Sequence, residues 1–145
     1  MSAPPSWNDL LVGAAPPAYV DGPMTLTDIV RYQGASGDLN PLHHDPGYAQ
    51  AAGYSGPFAV GMRQAGVLAA QAGRWLGHAN VRRFRVRFQE QAWPGDVLVY
   101  EMRVTGKREE GGERLVDLEL TCTRQGCGVH LRGTATYAVP DRSGA

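Results

Sequence analysis

The sequence predicts an α+β domain in which a curved antiparallel sheet of about five strands wraps around one long central helix. The first observation is a single long helical pattern over residues 61–77, which is rich in glycine and alanine. The second is an alternation of arginine with apolar residues over residues 81–89, the two-residue period of a half-buried strand. The third is the series of turn-forming segments that divide the rest of the chain into strands. Because a sheet with one apolar face must bury it, we expect the thin helix inside the curve.

Composition limits the functions that the chain can have. Its 145 residues, 43% of them hydrophobic, suit one domain with one core, so we expect a single domain over residues 1–145. Fourteen basic residues balance fourteen acidic ones, which gives no indication of a nucleic-acid or membrane-surface partner. No basic segment precedes a long apolar run, so a soluble, cytoplasmic protein is expected. Cys122 and Cys127 flank a turn signal and are expected to be free thiols.

The N-terminal region predicts an arm followed by a strand. Residues 1–16 are rich in proline and have little periodicity, so they are expected to lie extended on the surface. Trp7, Leu10 and Leu11 would hold this arm against the domain. Residues 19–26 then suit the first strand.

A short helix and a rigid turn are predicted next. Thr27 can cap a helix that begins at the following aspartate and ends at Gly34. Asn40 followed by Pro41 is typical of a cap with proline at the first helical position, because the asparagine side chain can accept a backbone N–H and proline needs no donor there. This device would fix His43 in a short turn. Asn40 is therefore interpreted as structural, with Pro41, rather than as a substrate contact.

The remaining elements complete the predicted fold. Asp45 and Pro46 repeat the cap and begin a helix that Gly53 ends. The central helix follows at Gly61, with its polar residues Arg63, Gln64, Gln71 and Arg74 within an arc of about 100°. Strands are then predicted over residues 81–89, 97–107, 113–123 and 128–139, and they are expected to form an antiparallel meander.

Two acid/base candidates, Asp38 and His43, lie five residues apart in the turn-forming segment that a packing argument explains least well. Gly61 begins the long helix, where free backbone N–H groups and the positive end of the helix dipole attract developing negative charge. These residues are therefore candidates for acid/base chemistry and for binding developing negative charge.

Residues 36–43, which read SGDLNPLH, resemble the hydratase motif of the MaoC-like (R)-specific enoyl-CoA hydratase/dehydratase family. Ala49 and Gly61-Met62 follow at the distances that this family shows, and the similarity extends to Val12-Gly13 and to the turn at residues 94–96. The resemblance implies the hotdog fold, in which a sheet wraps around one long helix. It also implies a hydro-lyase with a dimeric assembly, active sites near the subunit interface and no cofactor.

The substrates that the resemblance implies are acyl thioesters of coenzyme A or acyl carrier protein. Asp38 and His43 would both hold one water, with their roles as base and proton donor left open, and the backbone N–H of Gly61 would bind the thioester oxygen. Two positions depart from the family pattern. Val60 stands where many relatives have histidine, and Ala69 stands where some present a hydroxyl.

Two alternative functions stay open on the sequence. A non-catalytic or partner-dependent MaoC-like subunit of a heteromeric dehydratase is favoured by Val60 and Ala69, but intact Asp38 and His43 argue against it. A hotdog thioesterase would need a carboxylate near the central helix, and residues 61–77 contain none.

Other chemistry-bearing residues have simpler interpretations. His44 and Asp45 beside His43 suggest a metal cluster, but no third ligand follows at a useful interval, so no metal is expected. His78 and His130 have no partner nearby in sequence and are given no role. The basic run at residues 82–87 could meet the phosphates of coenzyme A or an acidic carrier protein, although a solvated sheet face is favoured. The apolar residues of the central helix are interpreted as core rather than as an acyl tunnel; they are Met62, Leu68 and Leu76.

Overall fold

We describe a computed structural model of the chain, and the description covers residues 4–141. Three α-helices, five strands and three short 3₁₀ turns make up this part of the chain. The helices are α1 Leu26–Ser36, α2 Pro46–Ala51 and α3 Gly61–Leu76, and the 3₁₀ turns are Trp7–Asp9, Pro41–His43 and His78–Asn80. The strands are β1 Tyr19–Asp21, β2 Val81–Phe88, β3 Leu98–Glu110, β4 Glu113–Arg124 and β5 Val129–Ala138.

The five strands form one antiparallel sheet in the order β1-β3-β4-β5-β2. The predicted fold class is confirmed, and the four long strands begin and end within three residues of the predicted bounds. The predicted meander is correct for β3, β4 and β5 and wrong for β2, which pairs with β5 at the edge. β2 follows α3 in the chain and forms the sheet edge opposite β1. The segment after β2 then leads to β3, which is on the other side of β4 and β5 in the sheet order.

Helix α3 packs its small and apolar side chains into the curve of the sheet. Its buried residues include Ala65, Leu68, Ala72 and Leu76, which pack with buried side chains of β3, β4 and β5. Met62, in contrast, is 58% exposed. Gln64, at one end of the arc of polar residues, is 0% exposed. The fold therefore covers part of the polar side of the helix as well as its apolar side. The Gln64 amide nitrogen lies 3.8 Å from the Met24 sulfur.

The N-terminal arm adds to β3 through backbone hydrogen bonds. Gly13 N–H donates to the Val104 carbonyl, and Val104 N–H donates to the Ala14 carbonyl, each at 2.8 Å. Leu10 is buried and Trp7 packs against the core as expected, but Leu11 is 69% exposed and does not hold the arm. Residues 1–3 of the predicted arm lie outside the described residues.

The bounds of β1 and α1 differ from those predicted. β1 is only three residues long, and α1 begins at Leu26 because Thr25, not Thr27, is the cap. Thr25 Oγ1 accepts from Asp28 N–H at 3.1 Å, while Asp28 Oδ2 accepts from Thr25 N–H at 2.8 Å, a reciprocal capping box. The helix continues past Gly34 to Ser36.

Turn chemistry closes the β3–β4 hairpin as the sequence predicts. Gly111 and Gly112 have φ values of +59° and +79°, the left-handed pair that a two-residue hairpin turn requires. Both cysteines are free as expected; Cys122 is buried in β4 and Cys127 is exposed in the next turn.

Candidate active site

The segment from Gly37 to Asn40 joins α1 to a tight turn. Gly37 ends α1 with φ +75°, a conformation that glycine adopts without strain. Asp38 follows directly, and its Oδ1 accepts the Asn40 N–H at 3.3 Å, which folds the aspartate back onto its own backbone. Asp38 is exposed and faces a cavity that is described below.

Asn40 and Pro41 shape the turn that carries His43. Asn40 Oδ1 accepts the Leu42 N–H at 3.1 Å, and Pro41 occupies the first position of the 3₁₀ turn Pro41–His43. The cap-plus-proline geometry is therefore present where the sequence indicated it. Neither residue lines the cavity, so both lie behind the site rather than in it.

Gln33 ties the whole turn to α1, and sequence reasoning missed it. Its side chain is only 2% exposed, and its Nε2 donates to the carbonyls of Asp38 at 2.8 Å and Asn40 at 3.1 Å. Its Oε1 accepts from Nδ1 of His44 at 3.0 Å. Every polar group of this amide is thus used to hold the turn. A glutamine in a helix gives no sequence signal of such contacts, because they depend on the left-handed glycine that reverses the chain after α1.

His43 is held in place through one of its ring nitrogens. The residue is 8% exposed, and its Nδ1 lies 2.7 Å from the Phe58 carbonyl. A carbonyl can only accept, so Nδ1 carries a hydrogen and the neutral ring leaves Nε2 as an acceptor. The Phe58 ring packs edge-on against the imidazole with centroids 5.0 Å apart, which fixes the plane of the ring.

Gly61 provides the amide end of α3. The preceding Val60 makes no side-chain cap, so the first backbone N–H groups of the helix are free of the partner that a capping residue would supply. A Cβ on Gly61 would lie 2.5 Å from the nearest Phe88 ring atom, so the absence of a side chain lets Phe88 pack on the start of the helix. Gly61 is thus both a potential anion-binding position and a close-packing position.

One cavity of about 310 Å³ brings these groups together. Asp38, His43 and Gly61 all line it, as does Val60. Ala69 is half-buried further along α3 and does not line this cavity among the described residues. The rest of the wall is Phe58, Ala59, Met62, Phe88, Gln89, Glu90, Gln91 and His130.

The other candidate residues are engaged elsewhere or solvated. His44 binds Gln33, and Asp45 caps α2 by accepting the Tyr48 N–H at 3.0 Å. No group of three or more histidine, cysteine, aspartate or glutamate side chains within residues 4–141 could hold a metal ion. Leu68 and Leu76 are fully buried core, whereas His78 is exposed and its ring packs against Gly73.

The basic run of β2 lies on the outer face of the sheet. Arg82 pairs with Glu113 at 2.6 Å. Arg83, Arg85 and Arg87 are exposed and make no ion pair within the described part of the chain. The expected solvated face is therefore what the structure presents.

Comparison with known proteins gives the same family in sequence and in fold. A family model described as "MaoC like domain" matches residues 10–125. An (R)-specific enoyl-CoA hydratase from Rhodospirillum rubrum is 34% identical over 119 residues, which cover 80% of this chain and 80% of that protein. Other curated relatives are longer proteins, of which the chain spans between 5% and 37%.

Solved structures share the fold at lower identity. The (R)-hydratase from A. caviae involved in PHA biosynthesis superimposes with a TM-score of 0.78 at 24% identity, covering 90% of this chain and 98% of that chain. The ChsH1-ChsH2 complex from Mycobacterium tuberculosis gives a TM-score of 0.77 at 22% identity, covering 89% and 98%. Within the described residues, no helix is both long and apolar enough to cross a membrane. By its family match and its full-length relative, the chain belongs to the MaoC-like domain family of hotdog-fold hydratases and dehydratases.

Proposed function

We propose that the chain is a hydro-lyase that interconverts trans-2-enoyl and (R)-3-hydroxyacyl thioesters, with Asp38 and His43 activating the water. The observation that carries this proposal is that Asp38, His43 and Gly61 line one cavity, while the hydrogen bond that His43 makes within residues 4–141 uses Nδ1 and not Nε2. The name of the Rhodospirillum rubrum relative, (R)-specific enoyl-CoA hydratase, supports the same reaction.

The tautomer of His43 favours an assignment of roles that the sequence left open. With Nδ1–H committed to the Phe58 carbonyl, Nε2 can accept a proton from water as the water oxygen bonds to C3. The electrons of the double bond then move onto the thioester oxygen, which the Gly61 N–H stabilises. Asp38 accepts a hydrogen bond from the second O–H of the water and so orients the water. The proton taken by His43 is then delivered to C2 as the enolate collapses back to the thioester carbonyl. One water is consumed and no charge is left behind.

The substrate is a thioester of coenzyme A or acyl carrier protein, and no cofactor takes part in this scheme. Phe58, Val60 and Met62 give the cavity an apolar wall that suits an acyl chain. We also propose that residues 1–145 act as one domain, which the single sheet and the continuous core support. A cytoplasmic location stays a prediction.

Assembly with a second chain is part of the proposal. Met62 and Phe88 line the cavity and are 58% and 45% exposed, and Leu39 beside Asp38 is 68% exposed. Such an apolar rim is typical of a surface that another subunit covers. A homodimer is the simplest assembly. A partner-dependent subunit of a heteromer is the second candidate, favoured by Val60 and Ala69 and by the likeness to a two-protein complex.

The test is an assay of the purified chain with crotonyl-CoA and a longer trans-2-enoyl-CoA, following the loss of the conjugated absorbance. Asp38→Asn and His43→Gln should each lower kcat by about 10²- to 10⁴-fold, the usual worth of a positioned acid/base group. Asp9→Asn, at an exposed aspartate remote in sequence from the turn, is the matched control. Full activity in Asp38→Asn would refute the mechanism. Release of free thiol would indicate a thioesterase, and inactivity of a folded homodimer would favour the partner-dependent subunit.

A further inference from the structure

His130 is a second histidine of the cavity wall, and the proposed reaction gives it no task. It lies near the start of β5, where its backbone carbonyl accepts the N–H groups of Gln89 at 2.8 Å and Glu90 at 3.4 Å. Its ring Nδ1 lies 2.6 Å from the Glu90 carbonyl and donates to it. The side chain is only 2% exposed. The segment that follows β2 therefore holds His130 both through its backbone carbonyl and through its ring.

The far nitrogen of this ring lacks a partner. Burial lowers the pKa of His130, and the positive charge of Arg124 acts in the same direction, so the ring is neutral near pH 7. Since Nδ1 carries the hydrogen, Nε2 is an acceptor. Nε2 is buried and makes no hydrogen bond within residues 4–141. A buried acceptor without a partner carries a free-energy cost that a ligand donor would remove.

The position of His130 along the cavity indicates which part of a ligand reaches it. Phe88 lies against Gly61, and its ring centroid is 5.9 Å from that of His130. His43, in contrast, is tied to Phe58, which precedes Gly61 in the chain. The two histidines thus have different neighbours in the cavity wall, since His43 packs with Phe58 and His130 packs with Phe88, whose ring also lies against Gly61.

The carbonyl carbon of a thioester is trigonal, so with its oxygen at Gly61 the acyl carbons and the sulfur point in different directions. The reacting carbons C2 and C3 belong beside Asp38 and His43. The sulfur therefore points toward Phe88 and His130, followed by the pantetheine arm that coenzyme A and acyl carrier protein share. Two methylene groups beyond the sulfur, this arm carries an amide N–H, which is a hydrogen-bond donor of the kind that a neutral imidazole accepts.

We propose that His130 Nε2 accepts a hydrogen bond from the pantetheine amide of the substrate and so selects for carrier-bound thioesters. The inference rests on the proposed function, because that function sets the direction in which the thioester lies. His130 acts on binding and takes no part in proton transfer.

Two substitutions separate this role from simple packing. His130→Asn keeps a donor near the position of Nδ1, able to reach the Glu90 carbonyl, but has no atom at the position of Nε2. His130→Gln places a polar group near the position of Nε2 and should restore part of the loss. His78→Asn, at an exposed histidine outside the cavity, is the matched control.

The experiment compares three crotonyl thioesters: those of coenzyme A, of N-acetylcysteamine, which keeps the first amide, and of butanethiol, which has none. In His130→Asn, the ratio of kcat/KM for the amide-bearing thioesters to that for the butyl thioester should fall by about three- to tenfold, mainly through KM. The ratio should recover partly in His130→Gln and stay at the wild-type value in His78→Asn.

Three results would overturn the inference. An equal loss of kcat/KM on all three thioesters in His130→Asn would mean that His130 only supports the fold. An unchanged ratio would mean that the amide binds elsewhere. Absence of turnover by the wild-type protein with every thioester would overturn the proposed function, and this inference with it.

A measurement on the wild-type protein avoids the risk that a variant does not fold. N-acetyl-S-butyrylcysteamine should shift the imidazole ¹⁵N resonance of His130 Nε2 in the direction of hydrogen bonding, whereas S-butyl butyrate should not. Equal shifts with both ligands would overturn the inference as well.

Discussion

Gln33→Met is the substitution that tests most directly how the active-site turn is built. Methionine has nearly the length of glutamine, but it cannot donate to the Asp38 and Asn40 carbonyls or accept from His44. Each of these three hydrogen bonds contributes about 0.5–1.5 kcal/mol net. The free energy of unfolding should therefore fall by roughly 2–4 kcal/mol.

The effect on catalysis should exceed what this loss of stability explains. With the turn released from α1, Asp38 and His43 no longer keep their mutual position, and a displacement of about 1 Å can cost on the order of 10² in rate. We expect kcat for crotonyl-CoA to fall about 10- to 100-fold, with a smaller change in KM because Gly61 and the cavity wall are unaltered.

Urea unfolding and hydration kinetics measured on the same preparations separate the two effects. Gln50→Met, at an exposed position of α2, is the control for the chemical change and should alter neither quantity appreciably. If Gln33→Met lost stability but kept the wild-type kcat at a temperature where it is fully folded, the turn would not need its link to α1. The role assigned to Gln33 would then be refuted.

Two further predictions concern the walls of the cavity. Gly61→Ala would place its Cβ within 2.5 Å of the Phe88 ring, so Phe88 must move. We expect kcat/KM to fall about tenfold or more, with little change in the urea midpoint. Unchanged kinetics would contradict the role of this helix end. The pKa of His130 is lower in the folded protein than its ordinary value of 6.5. As the pH falls through that value, the unfolded chain takes up a proton on this histidine before the folded protein does, so the free energy of unfolding decreases. His130→Gln should lose less stability than wild type between about pH 8 and about pH 5.5, and equal losses would contradict the buried neutral ring.

The elements that the sequence predicted best are those with local causes. Asn40 and Pro41 specify the 3₁₀ turn through contacts within three residues, and Gly111 and Gly112 specify the hairpin through their left-handed backbone. The placement of α3 follows from its length and its small residues. Such features depend on few neighbours in the chain, so a single sequence contains them.

The features that the sequence did not reveal are set by tertiary contacts. Gln33 acquires its partners only when the chain turns back after α1, and His130 acquires its cavity only when β5 pairs with β2. The position of β2 at the sheet edge likewise follows from the path of the chain around α3. Thr25 is a different case, because its capping box with Asp28 was present in the sequence and was assigned two residues too late.

The charge of β2 gives the assembly a salt dependence whose sign can be predicted. β2 is an edge strand with Arg83, Arg85 and Arg87 on its outer face and Phe84 and Val86 on its inner face. In an antiparallel pair, directly opposed residues share a face. A two-fold pairing of β2 with its own copy that is centred anywhere from Arg83 to Arg87, with the apolar residues inside, therefore sets arginine opposite arginine. Each like-charge pair costs about 0.2–1 kcal/mol at low salt.

A homodimer joined through β2 should therefore associate more tightly as salt is raised. At 1 M salt the Debye length falls to about 3 Å, which weakens the repulsion between opposed arginines. A heteromer with an acidic edge strand should instead weaken. Sedimentation at low and high salt measures the sign, and Arg85→Gln should tighten the homodimer at low salt, while Arg31→Gln on exposed α1 should leave it unchanged. An association that is indifferent both to salt and to Arg85→Gln would mean that the subunits meet on another surface, and the arginines of β2 would then serve to keep a bare sheet edge from pairing.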